Sequence, residues 1–408
     1  QAMLAPIPYR GPDGSGVQCL DNNKLGLAHR RLSILDTREI GKQPMNSGCG
    51  RYWITFNGEV YNYLELRKEL IASGYVFRTE TDTEVILNAY AHWDQQCIER
   101  FIGMFAFAIW DCEKRELFAA RDRLGVKPFY YLSQAGQFYF ASEIKSILTV
   151  LDAQPSIDET LIDSYMSFGY VPGENTLFSG VKRLLPGHAL THNEKDGCRV
   201  YCYWDLSFDH QTNHSEADIV KNIDQLLSDS ISLRLRSDVP LGVFLSGGLD
   251  SSAVVALLSP GASSGLKTFS VAYDFGAAYN ETPYARQVSH QFKTDHHEIM
   301  MNSRQFADFI PDYIRHMDEP VTEAAAISLY YVSRLARDHV VVCLSGEGSD
   351  ELFAGYDFYS YNLAIEKMRS LGGSAGANLF ASFGRKLTRL NKIRKYLDLL
   401  EKPFEARY

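Results

Sequence analysis

The chain has 408 residues, and its 41 lysines and arginines stand against 50 aspartates and glutamates, which gives a net charge of −9. This length predicts two or three domains, each large enough for its own hydrophobic core. The 45% hydrophobic content, with 24 tyrosines and 23 phenylalanines, excludes a disordered chain. The acidic balance without a basic run excludes a nucleic-acid partner. The longest apolar run, Met104–Trp110, is far shorter than the ~20 residues of a membrane helix.

The seven cysteines are scattered along the chain, at Cys19, Cys49, Cys97, Cys112, Cys198, Cys202 and Cys343. An odd and scattered set in a long chain is typical of reduced thiols, not of a disulfide scaffold. No spacing of cysteines and histidines is typical of structural zinc. The first residues lack the pattern of a signal peptide, so a cytoplasmic location is expected.

The first half of the chain has the pattern of antiparallel strands mixed with helices. An alternating strand over Tyr52–Phe56 leads into the turn dipeptide Asn57-Gly58, and Asn62 is predicted to cap a helix in a capping box with Glu65. The other predicted elements are a helix over Thr83–Trp93, a hairpin of Met104–Trp110 with Glu116–Arg121, and a hairpin of Phe129–Leu132 with Phe138–Ala141. Together they predict an α+β domain.

In the second half, strands, loops and helices recur in an order typical of an α/β domain with a parallel sheet. The predicted elements are strands at Val239–Leu245, Thr268–Tyr273 and His339–Leu344 and a helix at Ala253–Leu258. Linker-like residues lie at Pro186–His188, Asn193–Gly197 and Ser207–Ser215. We expect the boundary near 205–215, between domains at 1–205 and 216–408. The basic stretch Arg385–Lys395 is predicted to be a solvated helix face.

The string Ser246-Gly247-Gly248-Leu249-Asp250-Ser251-Ser252 joins the first of these strands to the helix. Glycines let the backbone approach an anion, and amides at a helix N-terminus offer positive charge to phosphate oxygens. Asp250 would repel a phosphate but suits a magnesium ion. The spacing is not that of the GxxxxGK[ST] loop. The whole string favours a phosphate-binding loop over a plain turn with a serine cap.

A second loop, Leu344–Glu351, repeats this design with two glycines, several acids and a helix start. Because the carboxyl ends of parallel strands lie at one edge of a sheet, we expect both loops to face one crevice. Asp250 and Asp350 would then share magnesium, and Glu347 would reach the reacting carboxylate or ammonia. The alternative is that these acids only cap the helix.

These strings carry a family resemblance that covers nearly the whole chain. The first resembles the signature of ATP pyrophosphatases, and Ser345–Tyr356 is similar to the matching segment of glutamine-dependent asparagine synthetases. The resemblance implies ATP and Mg²⁺, with Asp250 and Asp350 as metal ligands and Glu347 in catalysis. It assigns ATP contacts to Leu245, Ser246, Gly247, Gly248, Asp250, Ser251, Ser252, Val271, Ser345 and Gly346.

The first half resembles the family's N-terminal-nucleophile glutaminase. The matching segments are Arg10–Gly16, His29–Ile34, Phe56–Asn62 and Thr81–Glu84, although the family usually has histidine where this chain has Tyr9. The resemblance implies that Arg31 binds the α-carboxylate of glutamine, and that Glu59 and Asp82 bind its α-ammonium group. It also implies that the Asn57 side chain and the Gly58 N–H stabilise the oxyanion.

The nucleophile of such a glutaminase is an N-terminal cysteine whose free amine acts as general base. The chain has no cysteine before Cys19, which lies beyond the matching early loop. Either a segment ahead of Gln1 carries the nucleophile or the glutaminase is inactive, and the retained set of site residues favours the first. Family members also continue past Tyr408 with a further part of the synthetase site.

The sequence therefore predicts an asparagine synthetase that hydrolyses glutamine and acts through an acyl-adenylate. The partners expected are small-molecule substrates, without nucleic acid or membrane, and the family suggests a homodimer. One rival is an enzyme of the same fold that amidates another carboxylate, and another is a non-catalytic scaffold with degenerate sites.

The sequence also contains three weaker signals. Asp295–Glu298 is predicted to be a polar loop before a strand and not a metal site. Asp318 and Glu319 either cap a helix or meet the amino group of the substrate. No catalytic role is assigned to Cys198, Cys202 or Cys343, since no base is nearby in the sequence.

Overall fold

The computed structural model describes residues 1–208, 213–261, 265–274, 280–367 and 369–370. The chain divides into two compact units, Gln1–Leu344 and Ser345–Tyr408. The basic helix predicted over Arg385–Lys395 lies outside the described residues. Within the described ranges, no helix is long and apolar enough to cross a membrane.

The first part of the larger unit consists of antiparallel sheets with helices. Its strands are β1 (Gly14–Leu20), β2 (Leu25–Arg31), β3 (Met45–Asn46), β4 (Tyr52–Val60), β5 (Gly103–Asp111), β6 (Glu116–Arg121), β7 (Tyr130–Gln134), β8 (Gln137–Ala141), β9 (Lys182–Arg183), β10 (His188–Asn193) and β11 (Gly197–Cys202). Its helices are α1 (Tyr63–Ala72), α2 (Asp82–Trp93), α3 (Cys97–Arg100), α4 (Ile144–Leu148) and α5 (Ile162–Phe168). One sheet has the order β11-β10-β6-β5-β4-β3, and smaller sheets pair β1 with β2 and order β8-β7-β9. Both predicted hairpins and the helix over Thr83–Trp93 are confirmed.

The alternation of side chains along β5 explains how these layers stack. Phe105 and Phe107 pack into the core that contains the buried face of α2. Ala106 and Ala108 belong to a second core, together with Leu27 of β2. Because successive residues of a strand point to opposite faces, the large sheet lies between helices on one side and the smaller sheets on the other.

The turn predicted at Asn57-Gly58 is wrong, because both residues lie inside β4 and pair with Ala106 and Phe105 of β5. Gly58 has a φ of +140°. A Cβ at this position would collide with the carbonyl oxygen of Met104. The glycine therefore permits a close approach between two strands and does not reverse the chain.

The capping box predicted at Asn62 and Glu65 is also wrong. Asn62 stands at the N-cap of α1 without bonding the helix through its side chain. Its amide group instead donates to the carbonyl of Arg100 at 2.9 Å and accepts from the amide of Ile102 at 2.9 Å. Glu65 pairs with Arg236 at 2.6 Å. The cap residue therefore ties α1 to the approach to β5.

Two of the three linker-like stretches belong to the sheet. The residues around Pro186 precede β10, and the stretch at 193–197 is the turn that joins β10 to β11. The register pairs His188 with Cys202, so the hairpin extends the large sheet at its edge. Only the stretch 207–215 follows the last antiparallel strand.

The second part of the larger unit is a parallel sheet between two helix layers. Its strands are β12 (Leu241–Phe244), β13 (Lys267–Tyr273), β14 (Asp295–Met301) and β15 (Val342–Leu344), in the order β14-β13-β12-β15. Its helices are α6 (Glu216–Arg234), α7 (Leu249–Leu258), α8 (Thr282–Phe292), α9 (Ser303–His316) and α10 (Ala325–Arg337). Val243 and Leu245 pack with α6, α7 and α8, whereas Phe269 packs with α10. The predicted fold class, α+β followed by α/β, is confirmed.

The segment Asp295–Glu298 is not the predicted polar loop, because it opens β14. His296 bonds the Thr268 hydroxyl on the neighbouring strand at 2.8 Å. In the part of the chain that the structure describes, no group of three or more His, Cys, Asp or Glu side chains is arranged to hold a metal ion. The polar residues here serve strand pairing.

Candidate functional site

Asn57 lies on β4 at the wall of a cavity in the larger unit. The cavity has a volume of about 580 Å³, and its lining includes Asn57, His29, Thr55 and Ser142. The Asn57 Nδ2 atom donates to the Ser142 hydroxyl at 3.4 Å. Sequence reasoning missed Ser142, because nothing in its local sequence connects it with a residue so distant along the chain. The cavity places the proposed oxyanion donor beside empty space that a small substrate can enter.

Two carboxyl groups lie on and beside this strand, since Glu59 is half-buried on β4 and Asp82 is buried at the start of α2. Burial, and then the charge of Asp82, raises the pKa of Glu59 to about 7. Burial also raises the pKa of Asp82 to about 7, although its backbone contacts, including the Val60 amide at 2.9 Å, oppose the rise. The Oε1 atom of Glu59 is buried and has no hydrogen-bond partner among the described residues. A cation that binds beside these two carboxyl groups, for example an α-ammonium group, would lower their pKa values and favour their ionised form.

Arg31, at the end of β2, supplies the opposite charge. Its guanidinium group donates to three backbone carbonyls, those of Arg38 at 3.0 Å, Leu35 at 3.2 Å and Asp36 at 2.6 Å. Burial lowers the pKa of Arg31, and Asp82 is one of the carboxylates that raise it again. The loop after β2 therefore fixes Arg31 within electrostatic range of Asp82. A positive group near Asp82, which itself neighbours Glu59, matches the opposite charges of an α-amino acid.

Lys127 is a second residue that sequence reasoning missed. Burial lowers the pKa of its ammonium group, and Glu59 is among the carboxylates that oppose this shift. The same lysine lowers the pKa of Glu59. Lys127 lies in none of the motifs found in the sequence. Only the folded structure brings it near the carboxyl group of Glu59.

The loop after β12 has the geometry of an anion cradle. Gly247 has a φ of +86°, and a Cβ there would collide with the backbone nitrogen of Ala285 in α8. Gly248, and not a serine, is the N-cap of α7, and no side chain caps this helix. The first-turn amides of a helix have no intrahelical acceptor, so they remain for a ligand. The residues present fit the phosphate chain of a nucleotide.

The serine hydroxyls organise this loop internally. The Ser246 and Ser251 hydroxyls lie 3.0 Å apart, and the Ser246 hydroxyl accepts from the Gly248 amide at 3.1 Å. Ser252 donates to the carbonyl of Gly248 at 2.6 Å. Asp250 is half-buried in the first turn of α7. These bonds hold the backbone in the shape that exposes its amides.

Leu245 and Val271 differ from the polar loop residues because their side chains pack in the hydrophobic core of the sheet. Leu245 is buried, and its amide donates to the carbonyl of Phe269 at 2.8 Å. Val271 is half-buried on β13 and packs against the hydrophobic core. Both side chains support the sheet, and their contact with ATP stays a prediction.

The second Gly-rich loop belongs to the smaller unit, Ser345–Tyr408. Gly348, with a φ of +94°, is the N-cap of α11 (Ser349–Phe353). A Cβ on Gly355 would collide with the Asp350 carboxylate, so that carboxylate rests against the backbone. Glu347 is exposed. The roles of Ser345, Gly346, Glu347 and Asp350 in the reaction stay predictions.

Asp318 and Glu319 both bond groups that lie far from them in the sequence. Asp318 accepts from the amides of Ile144 at 2.6 Å and Lys145 at 3.2 Å, at the start of α4. Glu319 accepts from the amide of Leu177 at 2.8 Å and pairs with Arg183 at 2.5 Å. The capping interpretation therefore holds for Asp318, whose helix lies far away in the sequence.

The thiols of Cys198, Cys202 and Cys343 differ in their surroundings. Burial raises the pKa of Cys343 to about 12 and also raises that of Cys198. Cys202 is exposed, and its Sγ donates to the carbonyl of Trp204 at 3.2 Å. A raised pKa disfavours the thiolate, which is the reactive form of cysteine.

The geometry thus gives an antiparallel domain with a site of opposite charges, followed by a parallel sheet with a Gly-rich loop that suits an anion. Residues 1–204 match the family model of the glutamine amidotransferase domain, and residues 222–407 match that of asparagine synthase. The chain belongs to the family of glutamine-hydrolysing asparagine synthetases.

Individual relatives agree with this assignment. Asparagine synthetase (glutamine-hydrolyzing) 1 of Bacillus subtilis is 39% identical over 364 residues, which are 89% of this chain and 56% of that protein. A protein of Methanocaldococcus jannaschii named for the same activity is 37% identical, over 90% of this chain and 74% of its own length. Amidase chyE of Penicillium rubens is 32% identical, over 88% of this chain and 55% of its own length. The chain thus spans little more than half the length of the Bacillus and Penicillium relatives.

Proposed function

We propose that the full-length protein amidates the side-chain carboxylate of aspartate, with ammonia from glutamine and energy from ATP. The observation that carries this proposal is the charge set of Glu59, Asp82 and Arg31, which lies in the same compact unit as the anion cradle after β12. We assign the glutaminase to residues 1–205 and the synthetase to residues 216–408. A cytoplasmic location and a homodimer, which the resemblance implies, complete the proposal.

In the glutaminase half, the opposite charges of the site orient glutamine. Arg31 would hold the α-carboxylate, and Glu59 with Asp82 would hold the α-ammonium group. Attack on the side-chain amide by the cysteine that the resemblance implies would form an oxyanion. The Asn57 side chain at the cavity wall suits this oxyanion, together with the Gly58 N–H. The bond from the amide carbon to its nitrogen then breaks as the nitrogen takes up the proton lost by the thiol, and ammonia is released. Water hydrolyses the remaining thioester, which gives glutamate and returns the free thiol.

In the synthetase half, activation is needed because a carboxylate is a poor acyl donor. A carboxylate oxygen of aspartate bonds to the α-phosphorus of ATP, and the bond from that phosphorus to the bridging oxygen breaks, which releases pyrophosphate. The first-turn amides of α7 and the hydroxyls of Ser246 and Ser251 would bind the phosphate oxygens. Asp250 and Asp350 would hold Mg²⁺, which supplies shielding of phosphate charge when bound.

The second step transfers the activated acyl group to ammonia. The nitrogen bonds to the acyl carbon, and the carbon–oxygen bond to AMP breaks with its electron pair on AMP. Glu347 would take the proton that the attacking nitrogen loses. Ammonia that travels inside the protein avoids protonation in bulk water, which is a physical reason to join the two domains.

The test uses the full-length protein with ATP, Mg²⁺, glutamine and aspartate. We expect asparagine, glutamate, AMP and pyrophosphate in equal amounts. The Glu347→Gln variant should lose asparagine formation, whereas Glu216→Gln, an exposed change in α6, should retain it. Pyrophosphate release that requires an acid other than aspartate would contradict the proposal.

A second candidate function is amidation or amide formation on a different carboxylate. The observation that favours it is the similarity to amidase chyE, which is 32% identical over 88% of this chain, while the Bacillus synthetase matches over 89% of it. A panel of amino acids and dicarboxylic acids, assayed for pyrophosphate release with the same enzyme, separates the two candidates. Sedimentation of the same preparation measures whether it is a dimer.

A further inference from the structure

The segment Arg236–Asp238 connects the parallel sheet with the candidate glutamine site. This segment lies between α6 and β12, and it contacts two separate parts of the antiparallel domain. Asp238 accepts from the Asp36 amide at 2.8 Å, and its own amide donates to the carbonyl of Ile34 at 3.1 Å. These two bonds form a bracket around the loop that follows β2.

Asp36, which the bracket holds, connects the charged residues of the site. It is 4% exposed, and its carbonyl accepts from the Arg31 guanidinium at 2.6 Å. Its carboxylate accepts from the amide of Glu80 at 2.8 Å, two residues before Asp82. The position of Asp36 therefore sets the positions of both Arg31 and the start of α2.

Arg236 makes the second contact, at the end of β4. Its guanidinium donates to the carbonyl of Tyr61 at 2.6 Å and to both carboxylate oxygens of Glu65 at 2.6 Å. Tyr61 directly follows β4, the strand that carries Asn57 and Glu59. One short segment thus holds the backbone beside each of the glutamine-binding groups.

We propose that Arg236 and Asp238 are positioning residues, which hold the glutamine-binding groups in register with the strand that carries the nucleotide loop. From Asp238 the chain enters β12 and then reaches Ser246, so a single strand separates the bracket from the anion cradle. The inference rests on the proposed function for the substrates of the two sites. Neither residue touches substrate, and both act through the backbone of the antiparallel domain.

The test compares glutamine-dependent and ammonia-dependent reactions of the full-length protein. In Asp238→Ala we expect the KM for glutamine in hydrolysis to rise about tenfold, the effect of losing one hydrogen bond to a charged group. Synthesis of asparagine from added ammonia, ATP and aspartate should be unchanged. Asp238→Asn should restore the KM, because its amide oxygen still accepts from Asp36. Asp224→Ala, an exposed change in α6, is the control.

Two outcomes would overturn the inference. One is an unchanged KM for glutamine in both Asp238→Ala and Arg236→Ala, and the other is an equal loss of the glutamine-dependent and ammonia-dependent reactions. Arg236→Ala keeps the test decisive where Asp238→Ala does not fold. If the wild type makes no asparagine from ammonia, the proposed function fails, whereas the KM for glutamine hydrolysis still tests the positioning.

Discussion

Replacement of Glu59 by glutamine tests whether the carboxyl of Glu59 is held in the neutral form. Glutamine keeps the size and shape of the side chain but cannot ionise. In the native protein, burial and the neighbouring Asp82 raise the pKa of Glu59 from 4.5 to about 7, and Lys127 opposes the rise. The folded state therefore binds the Glu59 proton more tightly than the unfolded chain does.

The sign of the stability change follows from this tighter proton binding. For an acid with a raised pKa, the stabilisation is fully present below about pH 4.5 and is lost as the pH rises to about 7. At about 1.4 kcal/mol per pKa unit, the wild type loses about 3 kcal/mol of unfolding free energy over this window through Glu59 alone. Glu59→Gln lacks this loss, so its stability relative to the wild type should grow by that amount.

The measurement is the denaturant midpoint of the two proteins across this pH window. We expect the variant to gain on the wild type from pH 4.5 to pH 7 and the difference to stay constant above it. Glu99→Gln, an exposed change in α3, should follow the wild type at every pH. A difference between Glu59→Gln and wild type that does not vary with pH would refute the reasoning. The variant should also lose affinity for glutamine, since it lacks the negative charge.

Three further changes have expected results. Gly247→Ala should cost at least about 1–2 kcal/mol through its left-handed backbone, and the collision with Ala285 should abolish thermal stabilisation by ATP. Asp318→Ala should lower stability by about 1–3 kcal/mol, because the buried Ile144 amide loses its acceptor; Asp318→Asn should recover part of it in the same thermal unfolding assay. Glu347→Gln should leave glutamine hydrolysis intact while abolishing asparagine formation, measured as glutamate and asparagine in one reaction.

The elements that the sequence predicted correctly are those whose hydrophobic pattern is local. The hairpin of β5 and β6 consists of two short apolar runs on either side of a polar turn. The parallel sheet was readable from short apolar runs that each precede a loop, as at β12 and β13. The spacing of hydrophobic residues and the residues of the turns determine such elements to within a few residues. They can therefore be predicted without knowledge of distant contacts.

The bonds that position the candidate site could not be predicted, because they join residues far apart in the chain. Asp36 and Asp238 are separated by 202 positions, and Ile144 and Asp318 by 174. A carboxylate in a sequence predicts only that some donor will satisfy it. Which amide it meets depends on how two separately folded layers pack, so the sequence left the role of Asp318 open.

Asn57-Gly58 explains why the strongest local signal failed at the site itself. Asparagine–glycine favours a turn because both residues tolerate a positive φ. In β4 the same tolerance serves another purpose, since the φ of +140° at Gly58 lets the strand approach Met104 more closely than any side chain permits. The Asn57 side chain then stands at the cavity wall beside Ser142. A residue pair that contradicts its local propensity inside a strand is expected where the fold keeps a strained backbone for chemistry.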